Sequence, residues 1–66
     1  MQLMVNGEKF DFSDGNTVRR LLEHLQIAGH PVAVERNGQI IPYSKFDQAE
    51  LTEGDILEVV TLAGGG

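Results

Sequence analysis

The residues that could carry out chemistry are few and scattered in this sequence. His24 and His30 are its only histidines, and it has no cysteine. Ser13 and Ser44 have neither a recognisable partner histidine nor the glycines of a nucleophile elbow. Two histidines cannot make a closed zinc site by themselves. The sequence therefore predicts no catalytic set, no metal site and no bound cofactor, so we do not expect an enzyme.

Acidic residues surround one predicted turn near the end of the chain. Glu50, Glu53 and Asp55 lack the Asp-x-Asp-x-Asp-Gly spacing of a calcium loop. No Gly-x-x-x-x-Gly-Lys-Ser/Thr sequence is present to bind the phosphates of a nucleotide. This segment is predicted to be a solvated turn.

The remaining position that could react is the α-carboxylate of Gly66. Because Gly64, Gly65 and Gly66 lack Cβ, we expect them to hold no fixed conformation, and if extended they would project about 10 Å, at roughly 3.3–3.6 Å per residue. Such a tail could enter a narrow channel of a partner enzyme. There the carboxylate, once activated as an acyl-adenylate, could be captured by an amine, a thiol or a sulfide. A frayed terminus or an expression remnant is the open alternative.

Length and charge limit the classes of partner. The 66 residues suffice for one domain, and their formal charge of −5 repels phosphate backbones and anionic lipids. No apolar run approaches the roughly 20 residues that cross a bilayer, and no targeting segment is recognisable. We therefore expect a soluble protein that binds neither nucleic acid nor membrane. A basic protein surface would suit the charge, although acidic residues also serve solubility.

The first element that must position the tail is a predicted hairpin. Residues 1–5 and 8–12 read as strands that flank Asn6-Gly7, a pair that favours the tight turns of hairpins. Period-two alternation places four apolar residues on the core face of this hairpin: Leu3, Val5, Phe10 and Phe12.

One amphipathic helix follows the hairpin. Val18, Leu21, Leu22 and Leu25 recur at i, i+3, i+4 and i+7, which places them on one face. We predict a helix of about ten residues that begins at Asn16 or Thr17 as the N-cap. Gly29 and Pro31 are expected to stop it after Ile27 and Ala28.

The second half of the chain returns to the sheet. Residues 32–36 and 39–41 read as strands around a second Asn-Gly pair, residues 49–51 as a possible short edge strand, and residues 56–62 as the last strand. This order predicts an α+β domain over residues 1–62, with one mixed sheet of four to five strands packed on one helix. Residues 63–66 are expected to form a flexible C-terminal tail.

The last strand carries apolar residues on both of its faces. If Leu57, Val59 and Thr61 point toward the helix, then Ile56, Val60 and Leu62 share the opposite face with Glu58. One helix cannot cover both faces of a sheet. Either loop side chains such as Tyr43 or Phe46 cover the opposite face, or it docks another protein.

Several segments together resemble a known family. They are Met1 to Gly7, the Thr17-Val18 and Leu21-Leu22 pairs of the helix, Val34 to Gly38 with Ile40-Ile41-Pro42, Glu53-Gly54-Asp55, and the terminal glycines. Across essentially its full length the chain is similar to the sulfur carriers of thiamine biosynthesis, the ThiS family. The resemblance implies a ubiquitin-like β-grasp fold.

The same resemblance implies a function and its partners. A ThiF-like, E1-like adenylating enzyme would use ATP to activate the Gly66 carboxylate, and a sulfur-donating enzyme would supply the sulfur that makes it a thiocarboxylate. A ThiG-like thiazole synthase would receive this sulfur, in the cytoplasm. Gly64 and Gly65 match the tail that threads into partner enzymes, and Val60 and Leu62 match a docking surface. Carriers of molybdopterin or amino-acid pathways, and a plain interaction module, remain the alternatives.

Overall fold

The computed structural model describes residues 1–62, and the predicted tail of residues 63–66 lies outside this range. One helix packs on a five-stranded sheet, with elements in the order β1 (Gln2–Val5), β2 (Glu8–Asp11), α1 (Val18–His24), β3 (Val32–Arg36), β4 (Gln39–Ile41), a 3₁₀ turn (Tyr43–Lys45) and β5 (Ile56–Thr61). The strand order is β2-β1-β5-β3-β4. β1 and β5 run parallel, and the other neighbours run antiparallel. The predicted α+β domain with a mixed sheet is confirmed.

Both Asn-Gly pairs form the predicted two-residue turns. Asn6 and Asn37 each have a φ of 52°, and Gly7 and Gly38 follow at 84° and 85°. Positive φ at both central positions gives a turn whose twist matches that of the paired strands. The two turns therefore fix the registers of β1 with β2 and of β3 with β4.

The free N–H groups at the start of the helix are satisfied by Thr17 and by carbonyls of the segment after β4. Thr17 is the N-cap, and its hydroxyl accepts a hydrogen bond from the Arg20 amide at 3.2 Å. The amide of Val18 donates to the Ala49 carbonyl, and that of Arg19 to the Phe46 carbonyl, each at 3.0 Å. The first N–H groups of a helix have no partner within it, so these bonds tie α1 to the segment after β4.

The helix ends earlier than its apolar pattern predicts. Gln26 has a φ of 64°, and the Ile27 amide donates to the Leu22 carbonyl at 3.0 Å, which together form a Schellman motif. The helix is 7 residues long rather than about ten. Gly29 and Pro31, the predicted stops, lie beyond this cap.

The core lies between α1 and one face of the sheet. Its central residues are buried, each at most 8% exposed: Leu3, Phe12, Val18, Leu21, Leu22, Val34, Ile41, Phe46, Leu51, Leu57 and Val59. Phe46 and Leu51 come from the segment between β4 and β5, which closes the open side of the core. The edge strand predicted at residues 49–51 reduces to a single bridge between Thr17 and Glu50.

Candidate functional site

The last strand leads from the centre of the sheet to the predicted tail. β5 lies between β1 and β3, and its pairing with β3 extends to Thr61, opposite Val32. The amide of Leu62 then donates to the Pro31 carbonyl at 2.9 Å. Main-chain pairing thus holds the chain through the last described residue. Gly64, Gly65 and Gly66, the predicted reactive tail, lie outside the described residues.

Two turn asparagines fasten β5 from both sides. The Asn6 side chain exchanges two hydrogen bonds with the main chain of Val59, and the Asn37 Oδ1 accepts the Ile56 amide at 3.0 Å. Each asparagine therefore serves its own turn and also holds the strand between the two hairpins. The sequence shows the turns but not these long-range contacts.

Alternate residues of β5 face opposite sides of the sheet. Leu57 and Val59 are 0% and 8% exposed, whereas Ile56, Val60 and Leu62 are 54%, 54% and 53% exposed. The alternation predicted for this strand is confirmed. Val60 and Leu62, the predicted docking residues, share the side that faces away from α1, which we call the outer face.

The segment after β4 does not cover the outer face. The Tyr43 ring contacts Phe46, with centroids 5.4 Å apart, and lies 5.6 Å from the guanidinium of Arg19 on the helix. Phe46 itself is buried in the core. Both aromatic residues therefore lie on the helix side of the sheet, which rules out the alternative in which they cover the outer face.

Ile40 is an exposed apolar residue that the sequence pattern alone did not assign to the outer face. Ile40 in β4 is 66% exposed and pairs with Glu35, so it belongs to the outer face, while the next residue, Ile41, is buried. The alternation rule that separates Val59 from Val60 would have identified it. The outer face thus extends from β5 across β3 to β4.

Asp55 is buried instead of solvated at the turn before β5. Only 7% exposed, its carboxylate accepts hydrogen bonds from the Thr52 amide at 2.9 Å, and from the Thr52 hydroxyl and the Asn37 side chain at 3.1 Å. Burial alone would raise the pKa of Asp55, but these hydrogen bonds and the nearby Arg36 charge lower it below its usual range. Asp55 holds the start of β5, so the predicted solvated turn is wrong at this residue.

The described residues contain no metal-binding cluster. His24 Nδ1 lies 3.2 Å from Asp14 Oδ2, and its ring packs edge-on against Phe10 and Phe12. Over residues 1–62 no three His, Asp or Glu side chains are grouped to hold a metal ion. In the same range, no helix is both long and apolar enough to span a bilayer.

Comparison with known proteins agrees with this geometry. The model of the ThiS family matches residues 2–66. The Bacillus subtilis sulfur carrier protein ThiS is 35% identical over 65 residues, which cover 97% of this chain and 98% of that protein. The crystal structure of the thiamine biosynthesis protein ThiS from Geobacter metallireducens superposes with a TM-score of 0.82 at 33% identity, over 100% of both chains.

A longer protein also contains a similar segment. The thiazole synthase of Paramagnetospirillum magneticum is 46% identical over 66 residues, which are 100% of this chain but only 20% of that synthase. The chain therefore spans about a fifth of that relative and nearly the whole of the Bacillus protein.

Proposed function

Because this chain belongs to the ThiS family of sulfur carriers in thiamine biosynthesis, we propose that it carries sulfur as a thiocarboxylate on Gly66. One observation supports this position above all others. Hydrogen-bonded pairing holds the chain through Leu62, and four residues, Ala63 to Gly66, separate that anchor from the proposed carboxylate. The family match also extends through residue 66.

The proposed chemistry takes place in partner enzymes. A carboxylate is a poor electrophile, so the Gly66 carboxylate first attacks the α-phosphorus of ATP, which forms an acyl-adenylate and releases pyrophosphate. A sulfur nucleophile at the oxidation level of sulfide then attacks the carbonyl carbon, and AMP leaves with one of the original oxygens. An E1-like, ThiF-like enzyme would bind the ATP, and a separate sulfur-donating enzyme would supply the sulfur. This chain needs no bound cofactor and no catalytic residue in such a scheme.

Gly64 and Gly65 are proposed to thread into these active sites. Four extended residues span at most about 14 Å. The enzyme must therefore approach to within that distance of Leu62, and side chains on the tail would widen the channel it needs. Val60 and Leu62 support close docking, because both are about half exposed on the outer face at the end of the sheet from which the tail starts. We propose that they contact the adenylating enzyme.

The proposed acceptor of the sulfur is a ThiG-like thiazole synthase. Two thiazole synthases, from Paramagnetospirillum magneticum and Magnetococcus marinus, each contain a segment similar to this whole chain, at 46% and 38% identity. Linking two proteins in one chain raises the effective concentration of one at the other. That arrangement supports a direct transfer of sulfur from carrier to synthase. We propose that this transfer takes place in the cytoplasm.

Intact mass spectrometry tests the carrier function. The chain is incubated with the cognate ThiF-like enzyme, ATP and a sulfur donor, and conversion of the carboxylate adds about 16 Da, a shift that must be distinguished from methionine oxidation by fragmentation of the tail. Deletion of Gly66 should abolish the product. As the control, the deletion variant should keep the wild-type unfolding midpoint, because the buried core lies within residues 1–62.

Transfer assays then test the acceptor. The purified thiocarboxylate is mixed with the thiazole synthase and its substrates, and loss of the terminal sulfur is measured together with thiazole formation. Transfer only to a molybdopterin or amino-acid pathway enzyme would contradict the proposed acceptor. Absence of a thiocarboxylate in the first assay would contradict the carrier function itself.

A further inference from the structure

Two carboxylates stand side by side at the centre of the outer face. Glu35 in β3 and Glu58 in β5 are direct partners in the antiparallel register. The Cβ atoms of such partners lie about 4.5–5.5 Å apart on the same face of a sheet. The ion pairs found in residues 1–62 involve other acidic residues, and neither Glu35 nor Glu58 has a cation within salt-bridge distance there.

Apolar side chains surround this pair of glutamates. Ile40 lies opposite Glu35 on the β4 side, and Val60 lies opposite Ala33 in the next outward-facing pair of β3 and β5. Ile56 and Leu62 extend the apolar surface along β5, and both are more than half exposed. The two charges are therefore framed by the residues that a docking partner would cover.

The pair is unfavourable for the isolated domain. Like charges directly opposite each other destabilise a sheet, and the formal charge of −5 adds to their repulsion. Covering them with a purely apolar surface would add the cost of desolvating two unpaired carboxylates. A second copy of this chain, docked through the same face, would bring four carboxylates together. Charge complementarity thus favours a partner that brings a cation.

We propose that the outer face docks the adenylating enzyme through a surface that inserts an arginine or lysine side chain between Glu35 and Glu58. Apolar side chains around that cation would contact Ile40, Ile56 and Val60. An arginine suits the site best, because its planar guanidinium can donate to two carboxylates at once. This inference rests on the proposed function, since it names the chemistry by which the carrier meets its activating enzyme.

A pair of double variants with equal charge isolates this site. Glu35→Gln/Glu58→Gln removes the two carboxylates from the outer face. Glu8→Gln/Glu50→Gln removes two exposed carboxylates elsewhere, whose side chains make no hydrogen bond or ion pair in the described residues. Both variants change the net charge by the same amount, so long-range attraction to a basic enzyme changes equally. Any difference in KM between the two variants is therefore due to the local contacts of Glu35 and Glu58.

The rate of thiocarboxylate formation is measured against carrier concentration, with the ThiF-like enzyme and ATP. The Glu35→Gln/Glu58→Gln variant should raise the KM for the carrier about tenfold or more over the control variant, with little change in kcat. The salt dependence of kcat/KM should weaken more than in the control. The unfolding midpoint of the outer-face variant should rise, because a repulsion has been removed, which separates lost docking from lost folding.

Three results would overturn the inference. Equal KM values for the two double variants, with normal modification of the wild type, would contradict the proposed docking site but not the carrier function. A defect confined to sulfur transfer to the thiazole synthase would assign the face to that enzyme instead. If the wild type is not modified at all, both the proposed carrier function and the proposed docking site are contradicted.

Discussion

Asn6 and Val59 are joined by two hydrogen bonds that continue the sheet where a strand has ended. Asn6 Nδ2 donates to the Val59 carbonyl at 3.0 Å, and the Val59 amide donates to Asn6 Oδ1 at 2.8 Å. β1 pairs with β5 only at Met4 and Val5, so the carboxamide takes the place of the next pairing. A turn residue thus holds the strand that leads to the proposed tail.

Asn6→Gly should destabilise the domain by about 1–3 kcal/mol, the range for two hydrogen bonds lost from a protected site. Glycine tolerates the positive φ of this position, so the turn itself is preserved. Amide hydrogen exchange should accelerate at Val59. Exchange at Ile56, whose amide is held by Asn37, serves as the internal reference. Equal acceleration at both amides would indicate a global effect and contradict a local role for Asn6.

Val59→Thr and Val60→Thr should separate folding from docking. The two valines are neighbours, but Val59 is 8% exposed and Val60 is 54% exposed. Val59→Thr puts a hydroxyl into the core and should cost about 1–3 kcal/mol in urea unfolding. Val60→Thr keeps the branched shape and should change stability by less than about 0.5 kcal/mol. It should instead raise the KM for activation, and an unchanged KM would contradict Val60 as a docking residue.

Gln26→Gly should stabilise the domain by about 0.5–1 kcal/mol. Gln26 holds a φ of 64° just after the helix, a position where glycine carries no steric penalty. The same type of truncation at Glu23→Gly, within α1, should cost about 1 kcal/mol through lost helix propensity. The difference in unfolding midpoint between the two variants measures how much more favourable glycine is at the helix cap than within the helix. A destabilised Gln26→Gly variant would show that the side chain contributes more than its strained backbone.

Stability should fall in acid partly through Asp55. Hydrogen bonds lower the pKa of its folded-state carboxyl despite burial, whereas an unfolded Asp titrates near 3.9. The stabilisation from Asp55 is therefore complete above about pH 5 and is lost as the pH falls through the depressed folded-state pKa. Asp55→Asn should cost about 1–3 kcal/mol at pH 7, because Thr52 donates to both carboxylate oxygens and the substitution replaces one of these two acceptors with an NH₂ donor.

Urea unfolding from pH 7 to pH 2 checks this linkage. The difference in free energy of unfolding between the wild type and Asp55→Asn should become smaller toward pH 2, because the wild-type carboxyl then carries a proton. Glu8→Gln, a change at an exposed residue, should follow the wild-type curve closely. If this difference stays constant from pH 7 to pH 2, titration of Asp55 does not contribute to the loss of stability in acid.

Local rules predicted most of the fold because each relevant signal lies within a few residues. The Asn-Gly pairs predicted both tight turns, since positive φ at two successive positions is a local requirement. The apolar spacing of the helix predicted its buried face, and Val18, Leu21 and Leu22 are indeed buried. The end of the helix was missed because Gln26 adopts a conformation that its residue type does not favour.

The sequence by itself determined the turns, the buried helix face, the alternation of β5 and the family to which the chain belongs. Only the tertiary structure showed that Asp55 is buried, that Asn6 holds Val59, and that Glu35 stands beside Glu58. These relationships join residues far apart in the chain, and strand order and register decide which of them meet. Alternation determines which face a residue occupies, but pairing across β3 and β5 determines its neighbour there.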